Sequence, residues 1–282
     1  MTASADAPRT PRAPTDGVVE WWALHSEWWV ATWYAVLALV STWPLVRGLT
    51  TDLPSDLGDP LLNCWILGWG ADHLARFASG DLHALTGFWE ANIFHPAPLA
   101  LAYSEHLSVQ AVQILPVYVL TRNPLLCYNL LFLSTFVLSG LGAYLLVREL
   151  AGDPRAAFLA GLLFAFGPYR FSHLSHVQVL SAQWMPFVLY GLRRWFGQRG
   201  TSIRPLAGAT LALVVQNLSC AYHLLFFAPF AAVYAGWEVW RSRLWRVRGV
   251  VIRLGCAGVL AAAATWPFVA PYQALRARGF GK

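Results

Sequence analysis

Long apolar stretches separated by short polar breaks occupy the chain from residue 28 onward. The first, "WWVATWYAVLALVSTWPLV" at 28–46, is uncharged and would measure about 28 Å as a helix, enough to cross the hydrocarbon of a bilayer. Further runs predict helices at 124–147, 156–171, 177–192, 205–219, 221–240 and 249–270. The segment "HLSVQAVQILPVYVL" at 106–120 carries Gln110, Gln113 and Pro116; its apolar part, about fourteen residues, predicts an interfacial or re-entrant helix rather than a crossing. The pattern therefore predicts an all-α, polytopic membrane protein with about seven transmembrane helices over 28–275. A large first external loop, 47–123, carries the interfacial helices.

Charge fixes the expected orientation. If 106–120 does not cross, Arg148, Arg155, Arg193, Arg194, Arg199, Arg204, Arg241, Arg243, Arg246, Arg248 and Arg253 all fall on the side of the N-terminal tail. The positive-inside rule makes that side the cytoplasm. A bacterial inner-membrane protein with a cytoplasmic N-terminus is expected. The tail itself, 1–27, opens with a Pro- and Ala-rich stretch that has nothing apolar to bury, which predicts disorder.

Composition agrees with the pattern: 57% of residues are hydrophobic and only 12% charged, against about a quarter charged in soluble domains. The net charge of +6 does not imply a nucleic-acid partner, because Lys282 is the single lysine and the arginines flank apolar runs. Cys64, Cys127, Cys220 and Cys256 have no metal-type spacing. Cys64 and Cys220 can meet outside the membrane, although nothing in the sequence compels it.

Candidate chemistry lies in the predicted external segments. Asp59 followed by Pro60 is a helix-start signal in which the carboxylate caps orphan amides. The helix that follows puts Trp65, Trp69, Asp72 and Arg76 along one side, with Asp72 and Arg76 spaced for an i,i+4 ion pair. The expected topology sets Glu105, His106, Arg170, His173, His176, Gln178, Tyr222 and His223 on the same face as Asp59. His173 and His176 at i,i+3 can chelate a divalent ion, donate to a phosphate, or simply hydrogen-bond at the interface. Arg170 suits phosphate recognition, and snorkelling to lipid headgroups is its alternative.

"GDPLLNCWILGW", "FHPAPLALAYSEHL", "VRELAG" and "FAFGPYRFSHLSHVQVLSAQWMPF" resemble a bacterial multi-pass group assigned to the GT-C superfamily, membrane glycosyltransferases that use polyprenyl-phosphate sugars. The resemblance covers about 28–275. It implies transfer of a sugar from a polyprenyl-phosphate donor to a cell-envelope acceptor on the external face. Asp59 would match the family's first-loop carboxylate, acting as general base or helping to hold Mg or Mn, with His173 and His176 as further metal candidates. Arg170, His173 and His176 would bind the donor phosphate, supported by Glu105, His106, Gln178 and Tyr222. The partners implied are the lipid-linked donor and membrane lipid. GT-C enzymes commonly have more spans, which implies that this chain, with its 276–282 tail, is an N-terminal portion. A transporter or lipid flippase is the competing class, disfavoured by the scarcity of acids within the runs. A non-catalytic membrane subunit is the third.

Overall fold

The computed structural model describes residues 26–279; nearly all of the expected tail and the last three positions lie outside the described residues. Among the described residues every regular element is helical, so the chain is all-α. The longer helices are α1 (Ser26–Ser41), α2 (Asp59–Ala78), α3 (Ser108–Thr121), α4 (Pro124–Ala151), α5 (Pro154–Phe166), α6 (Trp184–Gly197), α7 (Ile203–Asn217), α8 (Ala221–Arg241) and α9 (Arg248–Ala277).

Several boundaries follow from local chemistry. Asn123 and Asp153 each stand just before a proline; their side chains accept from the amides of Leu126 and Arg155 at 3.0 and 2.8 Å, starting α4 and α5. Gly152, at φ +72°, ends α4 in the left-handed conformation that glycine tolerates. The predicted run 156–171 stops short at Phe166 because Gly167 is extended ahead of Pro168.

Helix α4 is the hub, packing on α1, α2, α3, α5 and α6. The approach of α1 to α4 and α5 depends on two small residues. Tyr34 is fully buried and donates to the Phe158 carbonyl at 2.9 Å, and a Cβ on Gly161 would collide with its hydroxyl and with the Gly140 carbonyl. A second apolar core joins α6, α7, α8 and the start of α9. The largest core lies under the 47–123 segment, where Ile66, Leu67, Leu101, Leu107, Tyr128 and Phe132 are completely covered. That segment is therefore a packed subdomain containing α2 and α3.

Two features bear on the seven-span expectation. By length and composition, α4 and α9 are the two described helices long and apolar enough to cross a membrane. Helices α5, α6 and α7 have 13, 14 and 15 residues, about 20–23 Å each. The run 177–192 is also not one helix. It breaks into Val177–Leu180, a turn, and α6. The break is stabilised from outside. Gln216 on α7 donates to the Ser181 carbonyl and accepts from the Trp184 amide, at 3.0 and 3.1 Å, while Arg170 donates to the Leu180 carbonyl at 3.0 Å. These are the backbone groups that an interrupted helix strands, and side chains satisfy them.

Much apolar surface stays uncovered. Leu163, Leu211, Phe226, Val233 and Val259 are each between 65% and 74% exposed, on four different helices.

Candidate functional site

Asp59 is the first residue of α2, yet it is not the cap. Gly58 holds the cap position without any side-chain bond, and the amide of Gly58 is bonded by Asp56 Oδ1 at 2.8 Å. The Asp59 carboxylate turns instead toward the 168–178 loop, where its Oδ2 lies 3.1 Å from His176 Nε2. A carboxylate oxygen can only accept, so a hydrogen bond across this contact needs the proton on Nε2. Both side chains are about half exposed, at 50% and 43%, and a third molecule can reach the carboxylate.

The loop is tied to the start of α2 at several points. Ser175 Oγ donates to Asp56 Oδ2 and lies 2.9 Å from Ser55 Oγ, and Asn63 donates to Gln178 at 3.0 Å. The Ser175 hydroxyl, followed by the Gly58 amide, holds the Asp56 carboxyl below the usual carboxylate range. Asp56, Ser55 and Ser175 escaped the sequence reading. Their signal was the Asp-x-Gly turn just before Asp59, a pattern in which Asp bonds the backbone two residues on.

The other expected site residues divide. His173 Nδ1 donates to the Tyr169 carbonyl at 2.8 Å, and its ring stands 5.9 Å from that of His176. Glu105 accepts from the Ala221 amide at 3.1 Å, serving the start of α8. His106 is buried against Trp89, Phe268 and Tyr272, and burial pushes its pKa down to about 4. Tyr222 is exposed. Asp59, His176 and Gln178 thus gather at the head of α2, while Glu105 and His106 belong to a second group around the start of α8 and the end of α9.

Arg170 is corrected most. It is 95% buried, donating to the Leu180 carbonyl and, at 2.9 Å, to Thr135 Oγ1, with its guanidinium 4.8 Å above the Phe136 ring. Burial lowers its pKa to about 10, so it remains a cation at neutral pH. Its Nε has no hydrogen-bond partner among the described residues. It does not snorkel; it terminates the Val177–Leu180 helix from the side where that helix's dipole is negative. The Asp72–Arg76 pair is also not made: Arg76 pairs with Asp81 at 2.6 Å and Asp72 faces Arg122 at 3.5 Å. Trp69, on the same side of that helix, donates internally to the Phe88 carbonyl at 2.9 Å. Cys64 and Cys220 are buried free thiols and do not pair.

A metal finds little here. Among the described residues no three His, Cys, Asp or Glu side chains gather to hold one, and His173 has committed Nδ1 to a carbonyl. Asp59, His173 and His176 are not gathered as a ligand set among the described residues.

Asp59 and its imidazole donor at the rim of an all-helical bundle define a class by architecture alone: a helical protein with apolar outer faces and an open carboxylate–imidazole pair. The chain belongs to the family described as a domain of unknown function, DUF6311, which matches residues 77–282. Among curated proteins and solved structures, none matches. The family match begins inside α2, beyond Asp59 and before His176.

Proposed function

We propose that this chain is a GT-C-type membrane glycosyltransferase, moving a sugar from a polyprenyl-phosphate donor to a cell-envelope acceptor at the external face of the bacterial plasma membrane. In this reading α1 and α4 to α9 cross the bilayer. The apolar outer faces support it, since exposed patches on this scale call for lipid or protein cover. The short helices would cross with the turns at 167–176 and 181–183, whose backbone groups are met inside the protein as a bilayer requires.

The observation that carries the catalytic part is the Asp59–His176 pair, 3.1 Å apart and half exposed. In the proposed step the acceptor hydroxyl oxygen attacks the anomeric carbon as Asp59 takes its proton. The new glycosidic C–O bond forms while the bond to the phosphate oxygen breaks, and polyprenyl phosphate leaves with the electron pair. His176 fixes the carboxylate by donating Nε2–H. His173, whose Nδ1 carries the proton, leaves Nε2 as a donor to the phosphate when protonated. Arg170 acts on that phosphate as a buried charge behind the loop. The test is release of polyprenyl phosphate from a short-chain polyprenyl-phosphate sugar by the purified chain. No release and no donor binding, with a range of sugars and a membrane extract as acceptor source, would overturn the reading.

A second reading has one observation in its favour. Gln110, Gln183 and Gln216 are completely buried between helices, and both amide atoms of Gln183 lack hydrogen-bond partners among the described residues. An interior polar layer of that kind also suits a flippase that passes a headgroup between helices. Donor-dependent flipping in proteoliposomes without sugar transfer would select it.

A further inference from the structure

Resting on the reading that α6 and α7 cross a membrane, we infer that the groove between their arginine-bearing ends binds the phosphate headgroup of an anionic phospholipid. Phe187, Tyr190, Gly191 and Arg194 recur at i, i+3, i+4 and i+7 and so share one face of α6. Arg204 and Gly208 share a face of α7, which Leu211, 66% exposed, continues. Together these faces line a cavity of about 330 Å³. Gly191 sets the approach of the helices, because a Cβ there would lie 2.8 Å from the Pro205 carbonyl oxygen. Gly208 keeps the groove open, since a Cβ there would meet nothing within 4 Å.

The charges ask for an anion. Arg194 donates to the Tyr190 hydroxyl at 3.0 Å, and its Nε has only a distant carboxylate, Glu149, at 3.9 Å. Arg204 has no hydrogen bond or ion pair among the described residues. It also stands in the first turn of α7, where the helix dipole disfavours a cation. Ser202 supplies no side-chain cap to that turn. A phosphate placed there would meet two guanidiniums beside the start of a fifteen-residue helix. The apolar floor made by Phe187 and Gly208, running on to Leu211, selects a phosphate that carries acyl chains. Basic pockets between helices at the cytoplasmic end of a bundle are where such headgroups bind.

The test uses the purified full chain in a mild detergent. Equal amounts of dioleoylphosphatidylglycerol and dioleoylphosphatidylcholine are added, and retained lipid is read by native mass spectrometry. The anionic lipid should be retained at least tenfold over the zwitterionic one. Each arginine near such a headgroup is worth about fivefold, so R194Q/R204Q together should lower retention by about 25-fold. Gly208→Leu keeps both cations and fills the groove; it should also lose the lipid, with circular dichroism confirming that each variant is folded. Equal retention of the two lipids, unchanged retention in either folded variant, or displacement by millimolar inorganic phosphate would each overturn the proposal. The assay needs neither sugar transfer nor a known orientation, so failure of the transferase reading leaves its result standing.

Discussion

Asp59→Asn separates a reactive carboxylate from a merely structural one, because the structure limits what its structural loss can be. Asp59 bonds no amide of α2, so no cap is lost. Its pair with His176 is half exposed on both sides, worth at most about 1 kcal/mol, and the Asn oxygen still accepts from Nε2–H. The favourable position of a negative charge in the first helical turn adds about 0.3–1 kcal/mol. Stability should fall by no more than about 2 kcal/mol in sum, and the variant should express and purify like the wild type. Loss of a general base, in contrast, costs about a hundredfold to ten-thousandfold in rate, roughly 3–5 kcal/mol of barrier. The assay is release of polyprenyl phosphate from a lipid-linked sugar under single-turnover conditions, with thermal unfolding measured on the same preparation. A variant that folds and transfers at the wild-type rate refutes the catalytic role. So does a rate loss fully matched by unfolding.

Three further outcomes are expected. On a background with exposed Cys256 replaced by Ser, cysteines at Ser79 and Ser172 should react with an impermeant reagent from outside intact cells and one at Gln198 should not; external labelling at 198 would reverse the orientation. Arg170→Gln should lower Tm, since the Leu180 carbonyl and Thr135 lose their donor at a cost of about 1–3 kcal/mol; an unchanged Tm would show that burying the cation costs as much as its bonds return. His106 is held neutral to about pH 4 by burial, while the unfolded chain protonates it from about 6.5 down, so its stabilisation is complete above pH 6.5 and lost progressively toward pH 4, by at most ~3 kcal/mol. His106→Phe should flatten Tm against pH over that interval, and an equally steep variant would remove His106 as the cause.

The readable part of this chain was whatever depends on neighbours in sequence. Asn123-Pro124 and Asp153-Pro154 announce α4 and α5, because cap and proline act within one turn. The helix at 108–121 was legible from its apolar run in the same way. Asp59-Pro60 announced α2 correctly and mis-assigned the carboxylate, since a capping geometry and a turn toward His176 share the same sequence. Asp59 and His176 are 117 positions apart; only the expected topology, with both segments external, hinted at their meeting. Asp72 and Arg76 had the right spacing for a pair, but i,i+4 contacts are worth a few tenths of a kcal/mol, and Asp81 just past the helix end offered Arg76 a 2.6 Å contact instead.

The break at 181–183 shows why an apolar run is a poor witness to helix continuity in such a bundle. Hydropathy counts side chains, whereas a helix interrupted among apolar neighbours is decided by where its stranded carbonyls and amides find partners. Here those partners are Gln216, 33 positions beyond the break, and Arg170, ten before Leu180. Neither residue is apolar, and Arg170 by itself looked like a phosphate ligand. Their occupation by the backbone is what leaves the exposed Asp59–His176 pair, rather than the arginine, as the accessible chemistry. The same bonds hold the buried Arg170 in place while its Nε keeps no hydrogen-bond partner among the described residues.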